Sequence, residues 1–359
     1  MTDIYNFSKK QEKQTMIETD TGIRKKEKYI ENLREGDTID DLFAVTSKMP
    51  IRTYKRGSWF GLRASDKSGE IDIKYWGGDN KDRVKRLHES FKVGDVIQIR
   101  NGTVEIYEEK PQISINETSG GLRRCSTSEY DVSDFIPALS EERISNLINV
   151  IQDEIKEMKN EDLKNLLHSF FDDPQIVDEF SHSPSAVSYH HNYVGGNLEH
   201  TVGVLRLGKN ICEMYEGIDR DLVVAGAILH DIGKLKEYAL SASIEKTSQG
   251  NFIGHIVMGE HWVREKIDQI RKDKGSFDSN VETFICHIIL SHHGKYEFGS
   301  PRMPKTIEAC VLHQADMMDS QVKNFIQNIE EARKINNDDW TFIWDSDLGR
   351  KRAMYSGEI

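Results

Sequence analysis

The 359-residue chain lacks several features that assign proteins to common classes. It has only four cysteines, and none of them forms a CxxC pair, so we expect reduced thiols in a cytoplasmic protein. No apolar run approaches the roughly 18 residues that a membrane span needs, and the N-terminal segment does not resemble a signal peptide. The sequence therefore predicts a cytoplasmic protein with no membrane partner.

Three frequent catalytic motifs are also absent. The sequence contains no GxxxxGK(S/T) phosphate loop, no GxSxG nucleophile elbow and no GxGxxG turn between a strand and a helix. Phosphate-loop chemistry, serine-hydrolase chemistry and dinucleotide binding therefore have no support in the sequence, and any catalytic role must rest on other residues.

The acidic charge of the chain is concentrated in its C-terminal two thirds. The formal net charge is −12. Residues 1–27 carry 6 basic and 5 acidic side chains, residues 28–120 carry 16 of each, and residues 121–359 carry 26 basic and 39 acidic ones. A cluster of carboxylates in the last part could be partly neutralised by divalent cations. The charge balance does not exclude a polyanionic partner, because acidic enzymes bind polyanions through local basic patches.

The N-terminal third has the pattern of a small β-barrel. Short runs rich in β-branched and aromatic residues are separated by the turn signals DKSG, GGDN and RNG. The helix-like stretch DNKDRVKRLHESFKVGD lies between the third and the fourth predicted strand. This order of elements is typical of an OB-type barrel.

The rest of the chain is predominantly helical. In SEERISNLINVIQDEIKEM the apolar residues recur at spacings of three and four, which predicts one buried helix face. The sequence therefore predicts a multidomain protein, with a small all-β OB-type barrel followed by an all-α helical bundle. The predicted divisions are a polar arm (1–27), the barrel (28–120), a linker (121–139), the helical domain (140–335) and a C-terminal tail (336–359).

The stretch VAGAILHDIGK, residues 224–234, places charged side chains at the end of a strongly apolar helical run. Burying an unpaired charge is costly, so such groups usually have partners or bind a metal. His230 and Asp231 offer an imidazole and a carboxylate, which divalent metals accept as ligands. The pair therefore predicts a metal site at the end of a core helix.

Further candidate ligands follow the same region. Eleven of the 13 histidines lie between His182 and His313, inside the helical part of the chain. In chain order the candidates are His200, His230-Asp231, His255, His292-His293 and Asp316. Each of them lies in or beside an apolar helical pattern, so the inner faces of a helix bundle could bring them together around a cation.

This series, H…HD…H…HH…D, resembles the HD-domain metal-dependent phosphohydrolases over roughly residues 160–320. The preceding stretch HHNYVGGNLEHT and the N-terminal OB-type pattern are similar to the YhaM-type 3′-to-5′ exoribonucleases of Gram-positive bacteria. The resemblance covers nearly the whole chain. It implies an all-helical domain with the active site inside the bundle, and hydrolysis of single-stranded RNA from its 3′ end.

The resemblance also implies roles for individual residues. A first metal would be held by His200, His230, Asp231 and Asp316, and Asp231 would bridge to a second metal that His255 and His292 also hold. Asp231 and Lys234 would be the catalytic residues, with Lys234 facing the scissile phosphate. His293, His190 and His191 would bind metal or substrate, although a structural role for His190 and His191 is equally compatible with the sequence.

The expected cofactors are two divalent metal ions. A pair of such ions can activate water and stabilise charge on a phosphoryl group, which suits phosphodiester hydrolysis. Manganese is the expected metal, but magnesium, cobalt and iron accept the same histidine and aspartate ligands, and the sequence does not choose among them.

The barrel carries candidate contacts to single-stranded nucleic acid. These are Trp59, Phe60, Arg63, Lys74 and Trp76. Aromatic rings interleaved with cations favour stacking with unpaired bases. Neighbours in a strand point to opposite faces, so one ring of Trp59 and Phe60 and one of Tyr75 and Trp76 should face outward. The expected partner is single-stranded RNA or single-stranded DNA, and a homo-oligomer is compatible with the sequence.

Two alternative functions remain open at this point. The helical domain could hydrolyse a small nucleotide, such as a dNTP or a cyclic dinucleotide, with the barrel as an interaction module. The sequence SHHGKYEFGSP lacks the GYP signature after SHHG, which disfavours a cyclic di-GMP enzyme. A binding module with a vestigial metal site is the third alternative, and the complete ligand series argues against it.

Overall fold

The structure is a computed structural model that describes residues 23–108, 110–186, 191–335, 339–345 and 350–357. The strands are β1 (Thr38–Ile39), β2 (Leu42–Lys48), β3 (Arg52–Tyr54), β4 (Gly57–Asp66), β5 (Gly69–Trp76), β6 (Val96–Arg100), β7 (Gly102–Tyr107), β8 (Lys110–Asn116), β9 (Gly121–Arg124), β10 (Tyr238–Leu240), β11 (Ile244–Lys246), β12 (Trp340–Asp345) and β13 (Arg350–Tyr355). The α-helices are α1 (Lys81–Glu89), α2 (Glu141–Glu157), α3 (Glu161–Phe171), α4 (Pro174–His182), α5 (Gly196–Met214), α6 (Arg220–Leu229), α7 (Lys234–Glu237), α8 (Ser248–Phe252), α9 (His255–Lys274), α10 (Ser279–Ser291) and α11 (Ile307–Ile335).

The N-terminal strands form one strongly curled sheet. Strand β2 pairs antiparallel with both β4 and β6, β4 pairs with β5, and β5 pairs parallel with β8. Strand β7 pairs with β8. Only Asn101 separates β7 from β6, and β6 pairs with β2, so the chain leads from β8 back to the first long strand of the sheet. Helix α1 lies between β5 and β6 in the chain. With β6 and β7 counted as one strand that bends at Asn101, these five strands have the connectivity of the predicted OB-type barrel and confirm it.

Alternation along β4 and β5 decides which rings face outward. Trp59 lies opposite Trp76, and Phe60 lies opposite Tyr75. Phe60 and Tyr75 are buried in the barrel core, where their rings stack with centroids 5.0 Å apart. The predicted nucleic-acid contact of Phe60 is therefore wrong, because the pleat directs its side chain inward. Trp59 and Trp76 are on the outer face.

Segments on either side of the barrel pack against it. Lys26, at the end of the predicted arm, is buried, and its Nζ is 3.3 Å from Asp66 Oδ2. Within the predicted linker, β9 pairs with β6 and Phe135 is buried near Leu42. The sequence did not predict this packing, because residues 121–137 lack a sustained apolar pattern. The division into domains stays a prediction.

The helical domain is arranged around α6. Every residue from Asp221 to Leu229 is buried, because α5, α10 and α11 surround this helix. Helix α2 begins after Ser140, whose side chain accepts a hydrogen bond from the backbone N–H of Arg143 (3.2 Å). In the described part of the chain, no helix is both long and apolar enough to cross a membrane. Because α6 is buried on all sides, His230 and Asp231 at its end lie in the interior of the bundle.

Two hairpins complete the described fold. The β10–β11 hairpin follows α7, and Ala242 at its turn is buried together with Leu42, Ala44 and Val96 of the barrel. The hairpin thereby joins the barrel to the helical domain. Strands β12 and β13 form the second hairpin inside the predicted C-terminal tail, for which the sequence predicted no fold.

Candidate metal centre and nucleic-acid face

The end of α6 places an imidazole and a carboxylate next to each other in the bundle. His230 and Asp231 are both buried. The Nδ1–H of His230 donates to the carbonyl oxygen of Ala227 (2.8 Å), so Nε2 faces the interior. This Nε2 atom lies 3.2 Å from Asp231 Oδ2 and 3.3 Å from His200 Nε2.

Helices α5 and α11 add two more ligand atoms at this point. His200 Nε2 lies 3.2 Å from Asp316 Oδ1 and 3.6 Å from Asp231 Oδ2. The first donor set consists of Nε2 of His200 and His230, Oδ2 of Asp231 and Oδ1 of Asp316. Two imidazoles and two carboxylates suit a borderline divalent cation, so these residues fit a metal ion.

The other oxygen of Asp231 belongs to a second group of atoms. Asp231 Oδ1 lies 3.4 Å from His255 Nε2 and 3.6 Å from His292 Nε2. All three atoms are buried, and none has a hydrogen-bond partner among the described residues. Unsatisfied buried polar atoms are rare and costly, and three that converge on one point fit a second cation. We call these three atoms the second donor set.

The four histidines of both donor sets have their rings anchored in the same way. In each of them Nδ1 donates a hydrogen bond away from the centre, which leaves the lone pair of Nε2 directed inward. The acceptors are Asp319 for His200 (2.7 Å), Ala227 for His230 (2.8 Å), Glu237 for His255 (2.6 Å) and Ile289 for His292 (2.6 Å). The tautomer that a metal ligand needs is therefore set at every position.

The electrostatics of the centre also suit a cation. Burial by itself would raise the pKa of Asp231, but Lys234 and His230 hold it well below its usual range. Burial lowers the pKa of His292 well below its usual range, and the neighbouring His293 and His230 lower it further. Burial opposes protonation of His200, but hydrogen bonds with Asp316 and Asp319 raise its pKa to about 9. Protonation of His200 and binding of a cation therefore compete for Nε2.

Lys234 lies in the wall of a cavity that opens onto the centre. Its Nζ is 2.6 Å from Asp231 Oδ2 and donates to Ser185 Oγ at 2.9 Å. The cavity has a volume of about 370 Å³ and is also lined by Tyr238 and Phe298. A cavity of this size, with an ammonium group in its wall, has room for a phosphate group beside the donor sets.

His293 lies beside the second donor set. The centroid of its ring is 4.4 Å from that of His292 and 5.1 Å from that of His255. Its Nδ1 donates to the carbonyl oxygen of Phe298 (2.8 Å), and the ring lines the cavity. The structure thus brings His293 within reach of both a cation at the second donor set and a ligand in the cavity.

Of the two histidines before α5, the structure describes only His191. His190 lies outside the described residues. His191 is buried, and its Nε2 donates to Asp319 Oδ2 at 3.0 Å, the same oxygen that accepts from His200. His191 is therefore placed behind His200, in the wall of a different cavity from the one at the donor sets.

Sequence reasoning missed the carboxylates that hold the histidine rings. Asp319 follows Asp316 by three residues, and Glu237 follows Lys234 by three, so each lies one helical turn beyond a predicted site residue. Burial would raise the pKa of Glu237, but hydrogen bonding to His255 lowers it to about 2. The signal available in the sequence was this one-turn spacing, since histidine ligands commonly donate to a nearby carboxylate.

The outer face of the barrel carries a cluster of rings around one lysine. Lys74 Nζ lies 5.1 Å from the ring centroid of Trp59 and 5.2 Å from that of Trp76. The two tryptophan rings are 5.7 Å apart. Tyr107, which the sequence did not suggest, is 5.0 Å from the same ammonium group. These cation–π contacts order a partly exposed surface, formed by Trp59, Lys74, Trp76 and Tyr107, that we call the aromatic face.

Arginines border the aromatic face. Arg52 Cζ lies 5.7 Å from the ring of Trp59 and was not among the predicted contacts. Arg63 was among the predicted contacts. It lies on the same side of β4 as Trp59, but its Nε pairs with Asp72 Oδ1 at 3.1 Å. The aspartate offsets part of the positive charge of Arg63, so Arg52 is the less neutralised of the two cations.

Comparisons with known proteins find similarities for both parts of the chain. A family model described as HD domain matches residues 197–320, which include both donor sets. The barrel is similar to the solved OB domain of Ta0387 from Thermoplasma acidophilum, at 13% identity and a TM-score of 0.23, over 34% of this chain and 96% of that one.

Two relatives extend the similarity to most of the chain. The 3′-5′ exoribonuclease YhaM of Listeria monocytogenes serotype 4b (strain CLIP80459) is 31% identical over 296 residues, which are 82% of this chain and 89% of that protein. The 3′-5′ exoribonuclease YhaM of Bacillus subtilis (strain 168) is 28% identical over 299 residues, which are 83% and 90% of the two chains. The protein therefore belongs to the YhaM 3′-5′ exoribonuclease family.

Proposed function

We propose that the protein is a metal-dependent 3′-to-5′ exoribonuclease that hydrolyses phosphodiester bonds of single-stranded RNA at the two donor sets. The observation that carries this proposal is the position of Asp231, which presents one carboxylate oxygen to each set. The names of the relatives supply the substrate class and the direction of digestion. Single-stranded DNA is a second candidate substrate, because stacking on aromatic rings does not depend on the 2′-hydroxyl.

The donor sets would hold two divalent cations. His200, His230, Asp231 and Asp316 would bind the first, and Asp231, His255 and His292 would bind the second. Bound cations would supply Lewis-acid activation of water and stabilisation of charge on the phosphoryl group. We keep manganese as the expected metal, with magnesium, cobalt and iron as alternatives that accept the same donors.

The remaining residues of the cavity would bind and orient the substrate. Lys234 would contact the scissile phosphate, since its ammonium group lies beside Asp231 and is held by Ser185. His293 would serve the second cation or a substrate phosphate from its position in the cavity wall. The apolar rings of Tyr238 and Phe298 would exclude water from part of the cavity.

The aromatic face would hold the single strand outside the catalytic cavity. Trp59 and Trp76 would stack with unpaired bases, a contact worth about 1–3 kcal/mol per base. Lys74 and Arg52 would contact the phosphates between those bases. Duplex would bind poorly because paired bases cannot stack on these rings.

Three expectations of the sequence stay proposals. They are the division into an arm, a barrel, a linker, a helical domain and a tail, the cytoplasmic location, and a homo-oligomeric state. The packing of the β10–β11 hairpin against the barrel supports a fixed contact between barrel and helical domain within one chain.

The proposed activity can be tested with a 30-nucleotide single-stranded RNA labelled at its 5′ end. We expect the full chain with manganese to shorten this RNA in single-nucleotide steps, and EDTA to stop the reaction. A panel of dNTPs and cyclic dinucleotides serves as the control. If these are hydrolysed while the RNA stays intact, the small-nucleotide alternative replaces the proposal.

A further inference from the structure

Behind the first donor set, one carboxylate oxygen of Asp319 accepts hydrogen bonds from two imidazoles. Asp319 Oδ2 accepts a hydrogen bond from Nδ1 of His200 at 2.7 Å and another from Nε2 of His191 at 3.0 Å. His191 and His200 are both buried. The three side chains come from the loop before α5, from α5 and from α11, so they form a hydrogen-bonded row across separate parts of the chain.

The far end of the row is also anchored. Nδ1 of His191 lies 2.9 Å from the hydroxyl oxygen of Tyr193, and that hydroxyl donates to Glu199. The backbone N–H of His191 donates to Gln327 Oε1 at 3.1 Å. His191 is thus tied to α5 through Glu199 and to α11 through Gln327, in addition to its bond with Asp319.

The helix backbone leaves room for this row at two glycines. A Cβ atom on Gly203 would overlap the carboxylate of Asp319, and a Cβ atom on Gly196 would overlap the backbone carbonyl of His191. Both glycines are on α5. The approach of Asp319 and His191 to this helix therefore depends on the absence of side chains at two positions.

A comparison with the other histidine ligands shows why Asp319 needs His191 as a second partner. His230 and His292 donate to carbonyl oxygens three residues earlier, which the helix backbone holds in place. An aspartate anchor has rotatable side-chain bonds, so it needs a second partner to fix its orientation. Glu237, the anchor of His255, has such a partner in Lys246 (2.8 Å), and Asp319 has His191.

We propose that Asp319 and His191 are positioning residues of the metal centre. Asp319 fixes the tautomer and the ring orientation of His200, so that Nε2 presents its lone pair to the first cation, and His191 fixes Asp319. This assigns His191 to the support of a metal ligand and not to substrate contact. The inference rests on the proposed function, since it requires that His200 binds a cation.

The first test is manganese binding to Asp319→Ala, measured by EPR spectroscopy of free manganese during a titration. We expect the affinity of one of two sites to fall about 10–100-fold, the usual effect of losing a support of a metal ligand. Asp319→Asn keeps a hydrogen-bond acceptor for His200 and should recover part of the loss. Thermal unfolding of both variants checks that the fold is retained.

The outcomes separate the inference from the proposed function. If the unmodified protein binds no manganese, the metal centre itself fails. If it binds two ions and Asp319→Ala binds both with unchanged affinity, only the positioning role is overturned.

The second test displaces Asp319 without removing a polar group. Gly203→Ala should weaken the same manganese site as Asp319→Ala, because its Cβ takes the space of the carboxylate. Gly208→Ala is the matched control on the same helix, since its Cβ would meet only the side chain of Val223. Equal manganese affinities for the two alanine variants would contradict the inference.

The third test separates support from substrate contact at His191. We expect His191→Ala to weaken manganese binding and to leave the RNA affinity of the metal-free protein unchanged. In the double variant with Asp319→Ala, the further loss of manganese affinity should be small, because the effects of coupled residues are non-additive. If His191→Ala binds manganese with unchanged affinity, the inference is overturned. If the same variant also binds RNA more weakly, His191 is a substrate-binding residue.

Discussion

Asp231 Oδ1 lies 3.4 Å from His255 Nε2, and both atoms are buried without a hydrogen-bond partner among the described residues. This pair joins the end of α6 to the start of α9. The Oδ2 atom of the same carboxylate faces His230 and Lys234. One side chain therefore links the two donor sets.

Asp231→Ala should abolish hydrolysis of single-stranded RNA while the protein still binds the strand. The substitution removes a ligand atom from both donor sets, whereas the aromatic face is unaffected. Gel assays of a labelled RNA and fluorescence anisotropy of the complex check the two halves of the prediction. Turnover near that of the unmodified protein would refute a bridging role.

Lys234→Ala should lower kcat by roughly 10²–10³-fold without releasing metal, because an ammonium group stabilises charge on phosphate and does not ligate a cation. Metal content by elemental analysis is the measurement, with His230→Ala as the variant that loses metal. Lys236→Ala is the matched control on the same short helix, since Lys236 Nζ lies over the ring of Trp262 at 4.0 Å. Metal loss in Lys234→Ala equal to that in His230→Ala would contradict the assigned role.

Trp59→Ala should weaken RNA binding by about 1–3 kcal/mol and leave the fold intact, because its ring is on the outer face. Phe60→Ala, one residue later, should instead lower the free energy of unfolding by about 3–5 kcal/mol, because it empties a fully buried site. Fluorescence anisotropy and chemical unfolding of both variants form the comparison. The aromatic face is not the RNA-binding surface if Trp59→Ala binds RNA as tightly as the unmodified chain.

Glu237→Gln should change the pH dependence of stability in metal-free protein. Hydrogen bonding to His255 lowers the pKa of Glu237 from 4.5 to about 2 in the folded state. A lowered folded-state pKa means that the carboxylate contributes its full stabilisation above pH 4.5 and loses it as the pH falls toward 2. The difference in unfolding free energy between the two proteins should therefore shrink as the pH falls from 4.5 toward 2. A difference that grows as the pH falls from 4.5 to 2 would show the opposite shift.

The sequence predicted those parts of the centre that stand out against their local pattern. His230 and Asp231 stand out because ionisable groups end an apolar helix, the other candidates follow from their order in the helical region, and the resemblance implies the role of each. Asp319 and Glu237 were not found, because a carboxylate on a helix is ordinarily a solvated charge. Only the packing of α11 against α5 and of α7 against α9 shows that these two carboxylates face histidines.

The barrel shows a different limit of sequence reasoning. Alternation predicted that Trp59 and Phe60 point to opposite faces, but it did not say which of them is inside. The choice depends on which face of β4 closes over the barrel core, and that is set by pairing with β2 and β5. Tyr107 and Arg52 reach the aromatic face from other strands, so no spacing in the sequence relates them to Lys74.

The most direct test of the account is anomalous diffraction at the manganese edge from crystals of the full chain soaked in manganese. We expect two peaks, one beside Asp231 Oδ2 with His200, His230 and Asp316, and one beside Asp231 Oδ1 with His255 and His292. A single peak, or two peaks of which only one touches Asp231, would contradict the bridging role from which the proposed mechanism follows.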